Sequence, residues 1–108
     1  MGNEVLVELY GVAFAALNDV EGIEEAFEKA VGACGATVLN RFSHAFAPQG
    51  VTVLYALKES HLSIHTFPEW NSCSINVYTC GSMDPMLAVD CLLAHFQPER
   101  SEIRRMAR

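Results

Sequence analysis

Val20, Ile23, Phe27, Val31 and Cys34 recur at steps of three and four, so residues 18–34 carry one apolar stripe and are predicted to form a helix. Asn18, with Glu21 three positions later, suits a capping arrangement at its start, and Gly35 is a natural stop. Glu21, Glu24, Glu25 and Glu28 fall mostly off the stripe and read as a solvated face near the positive end of the helix dipole. A second helix is predicted after Asp84-Pro85, because proline lacks only an N–H that the first turn leaves unused. Met86, Val89, Leu93 and Phe96 line its apolar face, and Pro98 ends it.

The remaining chain is rich in β-formers. EVLVELYG (4–11), ATVLNRFSHAF (36–46), VTVLYAL (51–57), SHLSIHTF (60–67) and CSINVYTC (73–80) read as strands. APQG (47–50) and residues 68–72 read as turns. VTVLYAL is apolar on both faces, which places it inside a sheet, and SEIRRMA (101–107) reads as a last edge strand. This order argues for an α+β two-layer sandwich: a mainly antiparallel sheet with two helices on one face. The bare sheet face must meet water or another subunit, and strands this apolar point to a dimer. There is no linker, repeat or low-complexity segment, so residues 1–108 are expected to form a single domain.

Composition narrows the function. The chain is 51% hydrophobic with a formal net charge of -6. Basic residues are sparse until Arg100, Arg104, Arg105 and Arg108, which read as a solvated terminus. No basic stripe is threaded with aromatics, which argues against nucleic-acid binding. No apolar run reaches the roughly 18–20 residues needed to cross a bilayer, which argues against a membrane role. The N-terminus lacks the pattern of a signal peptide, so a cytoplasmic location and reduced thiols are expected. Cys34, Cys73, Cys80 and Cys91 form no Cys-x-x-Cys pair, and neither a zinc site nor a thioredoxin-type motif is indicated.

The chemistry concentrates in ALKESHLSIHTFPEW, residues 56–70. His61 and His65 share a strand face, but at ~3.3 Å per residue they lie about 13 Å apart, too far for one metal ion. A lone strand histidine is usually a hydrogen-bonded structural residue, and for His61 that reading is as good as any functional one. Ser60 lacks the Gly-x-Ser-x-Gly elbow of a hydrolase nucleophile. Cys80 alternates with Tyr78, Asn76 and Ser74, opposite Cys73, Ile75, Val77 and Thr79. Spacing alone favours burial of Cys80 as a small hydrophobe. Phe46 and Phe67 read first as core aromatics. Residue patterns by themselves do not reach a reaction.

ELYG, GATVLN, HAFAPQGVT, ESHLSIHTFPE and YTCG, followed by the Pro85 helix, occur in an order and spacing that resembles the short prokaryotic S-adenosylmethionine decarboxylases. These are self-processing, pyruvoyl-dependent enzymes, and the resemblance runs from about residue 4 to residue 98. It implies that the Glu59-Ser60 bond is a cleavage site, giving chains 1–59 and 60–108. The Ser60 hydroxyl would attack the Glu59 carbonyl, a step driven by positioning and backbone strain. His65 would be the processing base for the Ser60 α-proton, a role that suits imidazole. Thr52 falls on a hydroxyl position that supports processing. The pyruvoyl group left at position 60 would be the cofactor, with no metal and no pyridoxal phosphate. It would form a Schiff base with the substrate amine and accept electrons on loss of CO₂. Cys80 would return a proton to the substrate carbon. Phe46 and Phe67 would hold the adenine and sulfonium, and Glu69 the ribose hydroxyls. The product would be the aminopropyl donor for spermidine synthesis, and a homodimer would share its active sites across the interface.

Some positions depart from the family pattern. Phe67 stands where tryptophan is common, Lys58 where a small polar residue is, and Asn76 where aspartate is. WNSCS (70–74) replaces a tyrosine, glycine and alanine pattern. These changes favour, as the alternative, a pyruvoyl-dependent arginine or ornithine decarboxylase. A third reading is a silent partner subunit that never cleaves, against which the intact Glu59, Ser60, His65 and Cys80 argue.

Overall fold

The computed structural model describes residues 1–108. The strands are β1 (Gly2–Tyr10), β2 (Val38–Ala45), β3 (Val51–Leu57), β4 (Ser60–Phe67), β5 (Ser72–Cys80) and β6 (Arg100–Ala107). The helices are a single turn, α1 (Phe14–Leu17), and two longer ones, α2 (Val20–Cys34) and α3 (Pro85–Phe96). The six strands form one sheet in the order β2-β3-β4-β5-β1-β6, and every neighbouring pair is antiparallel.

The α+β sandwich expected from the pattern is present, with changes at its joints. Asp19, not Asn18, caps α2: its side chain accepts from the Gly22 N–H at 3.1 Å. Asn18 instead accepts from the Gly50 N–H at 3.0 Å, tying the start of α2 to the β2–β3 turn. The α1 turn has no sequence period long enough to announce it. Gly35 closes α2 at φ 74°, as only glycine does without strain. In α3 the buried stripe runs through Ala88, Val89, Leu92 and Phe96, while Met86 and Leu93 are half-buried at its border. The second strand starts at Val38, two residues later than expected, with an irregularity between Val38 and Asn40.

Period-two alternation divides the sheet into two unlike faces. Val5, Val7 and Leu9, Val53 and Tyr55, Leu62 and Ile64, and Ile75 and Val77 are buried beneath α2 and α3. The Phe27 and Tyr55 rings meet edge-on at 5.1 Å, and the Tyr55 hydroxyl donates to Glu28, which also pairs with Arg41. No helix covers the other face. It carries Glu4 and Glu8, Thr52 and Leu54, His61 and His65, and Ser74, Asn76 and Cys80. The expectation of an apolar bare face holds toward its two edges, where Phe42 and Leu54 on β2 and β3 and Met106 on β6 are exposed. Its centre is polar: Ser74 donates to Glu8 at 2.5 Å and Asn76 to Glu4 at 2.9 Å. The arginine-rich end is an ordered edge strand. Arg100 lies over the Tyr10 ring, and Arg108 pairs with Glu4.

One buried polar group joins the layers. The Thr66 hydroxyl accepts from the Val51 N–H at 2.8 Å and donates to the Leu17 carbonyl at 2.7 Å. Thr66→Val keeps the shape but leaves both partners buried and unpaired. The expected cost is about 2 kcal/mol, read by urea denaturation.

Candidate active site

Leu57 pairs with Ser60, so Lys58 and Glu59 form a two-residue hairpin turn. Such turns ordinarily need positive φ at one or both central residues, to match the right-handed twist of the strands. Neither Lys58 nor Glu59 has positive φ; Ser60 does, at 155°. That region is nearly reserved for glycine and costs a serine about 1–3 kcal/mol. The misfit of the turn is therefore carried by the residue after it.

Three contacts clamp this strained unit. The Lys58 N–H donates to the Thr37 carbonyl at 2.8 Å. The Thr37 N–H donates to the Glu59 carboxylate at 3.0 Å. The Cys80 N–H donates to the Glu59 carbonyl at 3.0 Å. Glu59 thus points its side chain away from the open face and anchors the turn to the start of β2. Its carbonyl carbon lies beside the Ser60 side chain, and its carbonyl oxygen already faces a donor, the arrangement that stabilises charge developing there.

In a regular strand adjacent side chains leave opposite faces. Ser60 Oγ nonetheless lies 3.4 Å from His61 Nδ1. His61 Nε2 lies 2.8 Å from Asn76 Oδ1, and Asn76 Nδ2 donates to Glu4. Arg108 donates to the other Glu4 oxygen at 2.5 Å. Hydrogen bonds from Asn76 first and Arg108 second hold the Glu4 carboxyl below its ordinary pKa. Cys80 follows in the register beside Thr79, the cross-strand partner of Ser60. Cys80 is exposed, contrary to the burial its spacing favoured. The buried cysteine is Cys73, whose thiol burial pushes up to about 12.

A second cluster lies at the far end of β4. Phe46, Thr52, His65, Phe67 and Glu69 line one open cleft of about 370 Å³, together with Gln49 and Gly50. His65 Nδ1 lies 2.9 Å from the Thr52 hydroxyl across β3 and β4. Phe46 is half exposed, not core, and the Trp70 ring stacks obliquely on Phe67 at 5.6 Å. The chain does not bring its two clusters together. Ser60 and His65 are five residues apart on one straight strand, about 16 Å at ~3.3 Å per residue. Ser60, Glu59 and Cys80 form one cluster, and the cleft that holds the other five candidates forms a separate one without Ser60.

The whole chain has relatives that share this arrangement of elements. A family model described as S-adenosylmethionine decarboxylase matches residues 3–108. An S-adenosylmethionine decarboxylase proenzyme of Brevibacillus brevis is 44% identical over 108 residues, 99% of this chain and 81% of the relative. The chain belongs to the S-adenosylmethionine decarboxylase family. A Geobacillus proenzyme of the same name is 50% identical over 90 residues, 83% of this chain and 73% of that one. The crystal structure of the adenosylmethionine decarboxylase from Aquifex aeolicus superimposes with a TM-score of 0.94 at 34% identity, over 100% of this chain and 90% of that one. A Trypanosoma brucei AdoMetDC monomer shares the fold, with a TM-score of 0.65 at 16% identity. It covers 94% of this chain but only 44% of the longer one.

Several residues that the structure places in these clusters were not singled out as site residues in the sequence. Glu4, Arg108, Gln49 and Trp70 lack a local motif. Glu4 left one trace, an acid within an otherwise apolar strand. Arg108 reached the site only through the pairing of β6 with β1.

Strain at Ser60 is measurable without any chemistry. Ser60→Gly and Ser60→Ala both remove the hydroxyl, but only glycine accepts a φ of 155°. Ser60→Gly is expected to be more stable than Ser60→Ala by about 1 kcal/mol, read by thermal denaturation of the two uncleaved chains.

Proposed function

We propose that this chain is a proenzyme that cuts itself between Glu59 and Ser60, giving chains 1–59 and 60–108, and then decarboxylates S-adenosylmethionine. The observation that carries this reading is the clamped Glu59-Ser60 peptide: a strained serine next to a carbonyl that already accepts from the Cys80 N–H. The Ser60 hydroxyl adds to the Glu59 carbonyl, and the Cys80 N–H stabilises the oxygen as it becomes charged. Breakage of the C–N bond leaves an ester. His65, held by Thr52, removes the Ser60 α-proton, and elimination separates the chains.

The dehydroalanine left at position 60 tautomerises to an imine, which takes up water and loses ammonia, and the resulting pyruvoyl carbonyl would supply an electron sink for the loss of CO₂. The surrounding residues fit it. Cys80 presents its side chain on the open face, next to position 60 in the sheet, where a thiol can deliver a proton to the substrate carbon. In the cleft, Phe46 and Phe67 offer faces to the adenine and the sulfonium, and Glu69 can accept from the ribose hydroxyls. The decarboxylated product keeps the sulfonium and a three-carbon amine, which suits it as an aminopropyl donor in spermidine synthesis.

The two half-sites require a second copy. Bare sheet faces packed face to face, with their β4 strands running in opposite directions, bring Ser60 and Cys80 of one protomer to the cleft of its partner. A homodimer then completes two equivalent sites. The exposed Phe42 and Leu54 supply apolar contact area on the same face.

Intact mass of the purified protein is expected to show two chains, the first ending at Glu59. Labelled CO₂ is expected from S-adenosylmethionine, and not from arginine or ornithine. Release from an amino acid alone would reverse the substrate assignment. Cys80→Ala should still cleave but decarboxylate roughly 100-fold more slowly, as expected for loss of a positioned proton donor.

Sharing of the site is tested by complementation. Neither Ser60→Ala nor His65→Ala alone is expected to cleave at the normal rate. Co-expressed, they should yield cleaved chains that carry His65→Ala, identified by mass. If co-expression restores no cleavage while heterodimers form, Ser60 and His65 do not act across the interface.

A further inference from the structure

We propose that His61 is the base that takes the Ser60 hydroxyl proton in self-cleavage, held in the required tautomer by Asn76 and Glu4. This inference deepens the self-cleavage reading and rests on it. It assigns a residue to the first step, the shift of the acyl group from nitrogen to oxygen, and leaves the later elimination to His65.

A one-way chain of donors fixes the imidazole. Arg108 can only donate, and it donates to Glu4 Oε1. The Glu4 carboxylate can only accept, so Asn76 must present its NH₂ group there, at 2.9 Å. Asn76 Oδ1 is thereby turned to His61 Nε2 at 2.8 Å, and that nitrogen must carry the hydrogen. In the neutral ring Nδ1 is then left with its lone pair, 3.4 Å from Ser60 Oγ. The Tyr78 ring, 5.9 Å away between centroids, packs beside the imidazole and limits its rotation. The distance to Ser60 is long for a finished hydrogen bond, and contacts of this kind shorten on the way to the transition state. His65 cannot serve this step within the same protomer, being about 16 Å along the strand.

The step balances without any added reagent. The Oγ–H proton passes to His61 Nδ1 as an Oγ lone pair forms a bond to the Glu59 carbonyl carbon. The carbonyl π electrons move to the oxygen, which the Cys80 N–H holds. As that oxygen re-forms its double bond, the C–N bond breaks and its electrons go to the Ser60 nitrogen. The imidazolium returns its proton to that nitrogen. The result is an ester, a free amine and a neutral His61.

Ester formation and elimination are separable with hydroxylamine, which cleaves esters and leaves peptides intact. Wild-type, His61→Ala and His65→Ala proenzymes, made in a cell-free translation, are followed by intact mass with and without hydroxylamine. Wild type should mature to two chains. His65→Ala should accumulate the ester, and hydroxylamine should release a C-terminal chain that begins with an unmodified serine. His61→Ala should form ester and mature at least about 100-fold more slowly, and stay whole in hydroxylamine. Ester formation by His61→Ala at the wild-type rate overturns the proposal. A wild-type chain that never cleaves overturns the self-cleavage reading instead. Imidazole ¹⁵N NMR of the uncleaved Ser60→Ala chain provides a readout independent of cleavage and of any folding defect in His61→Ala. The Nε2–H tautomer of His61 is expected there as the sole neutral form, with a share of the Nδ1–H form appearing on adding Asn76→Ala. A dominant Nδ1–H tautomer in Ser60→Ala would likewise sink the assignment.

Discussion

A two-residue turn joins β3 to β4 without the residues such a turn requires, and the rest of the site depends on that mismatch. Lys58 and Glu59 stay at negative φ, so the twist of the flanking strands is reconciled at Ser60, which takes a φ of 155°. A free hairpin would relax by shifting register or opening its end. This one is held by Thr37 on one side and by the Cys80 N–H on the other. The core beneath β3 and β4 prevents a slip, because moving either strand by one residue would expose Val53, Tyr55, Leu62 and Ile64. Folding free energy from the buried face thus maintains strain at a single peptide on the rim. In the proposed mechanism that strain is released when the amide becomes an ester.

The same alternation that builds the core distributes the chemistry. Every second residue of β1, β3, β4 and β5 is committed to packing under the helices, and the intervening ones stand on the bare face. That face carries two unlike clusters at opposite ends of β4, and a polar relay runs across the sheet from the one that holds Ser60. A strand is too stiff to fold its own ends together. In the proposed mechanism, dividing the reacting groups along one strand suits a symmetric pair, in which opposite ends meet. The polar centre also limits how apolar such an interface is, and Glu4 and Glu8 already have partners within the protomer.

Much of this was legible in the chain itself. The helical stripe of α2 and the Asp84-Pro85 start of α3 were clear because periodicity and capping are local properties. The strands were legible for the same reason, to within two residues. Cys80 was placed on the correct face by alternation, yet its exposure was not, because exposure depends on which face the helices cover. Asn18 and Asp19 are neighbours with equal capping chemistry. Only the position of Gly50 decided that Asn18 would bond the β2–β3 turn and leave Asp19 to cap the helix.

Sequence alone determined the fold class, the family and the residue types available for chemistry, since these follow from patterns that persist along the chain. Tertiary structure decided how those residues are grouped. It placed Phe46, Thr52, His65, Phe67 and Glu69 in one cleft and left Ser60 and Cys80 outside it. It brought Glu4 and Arg108, from the two ends of the chain, to Asn76 and His61. It also located the strain at Ser60, which no residue preference near Glu59 reveals. The physical reason is the same in each case. Strand pairing joins residues by register across the sheet, and register is set by the shared core and not by distance along the sequence.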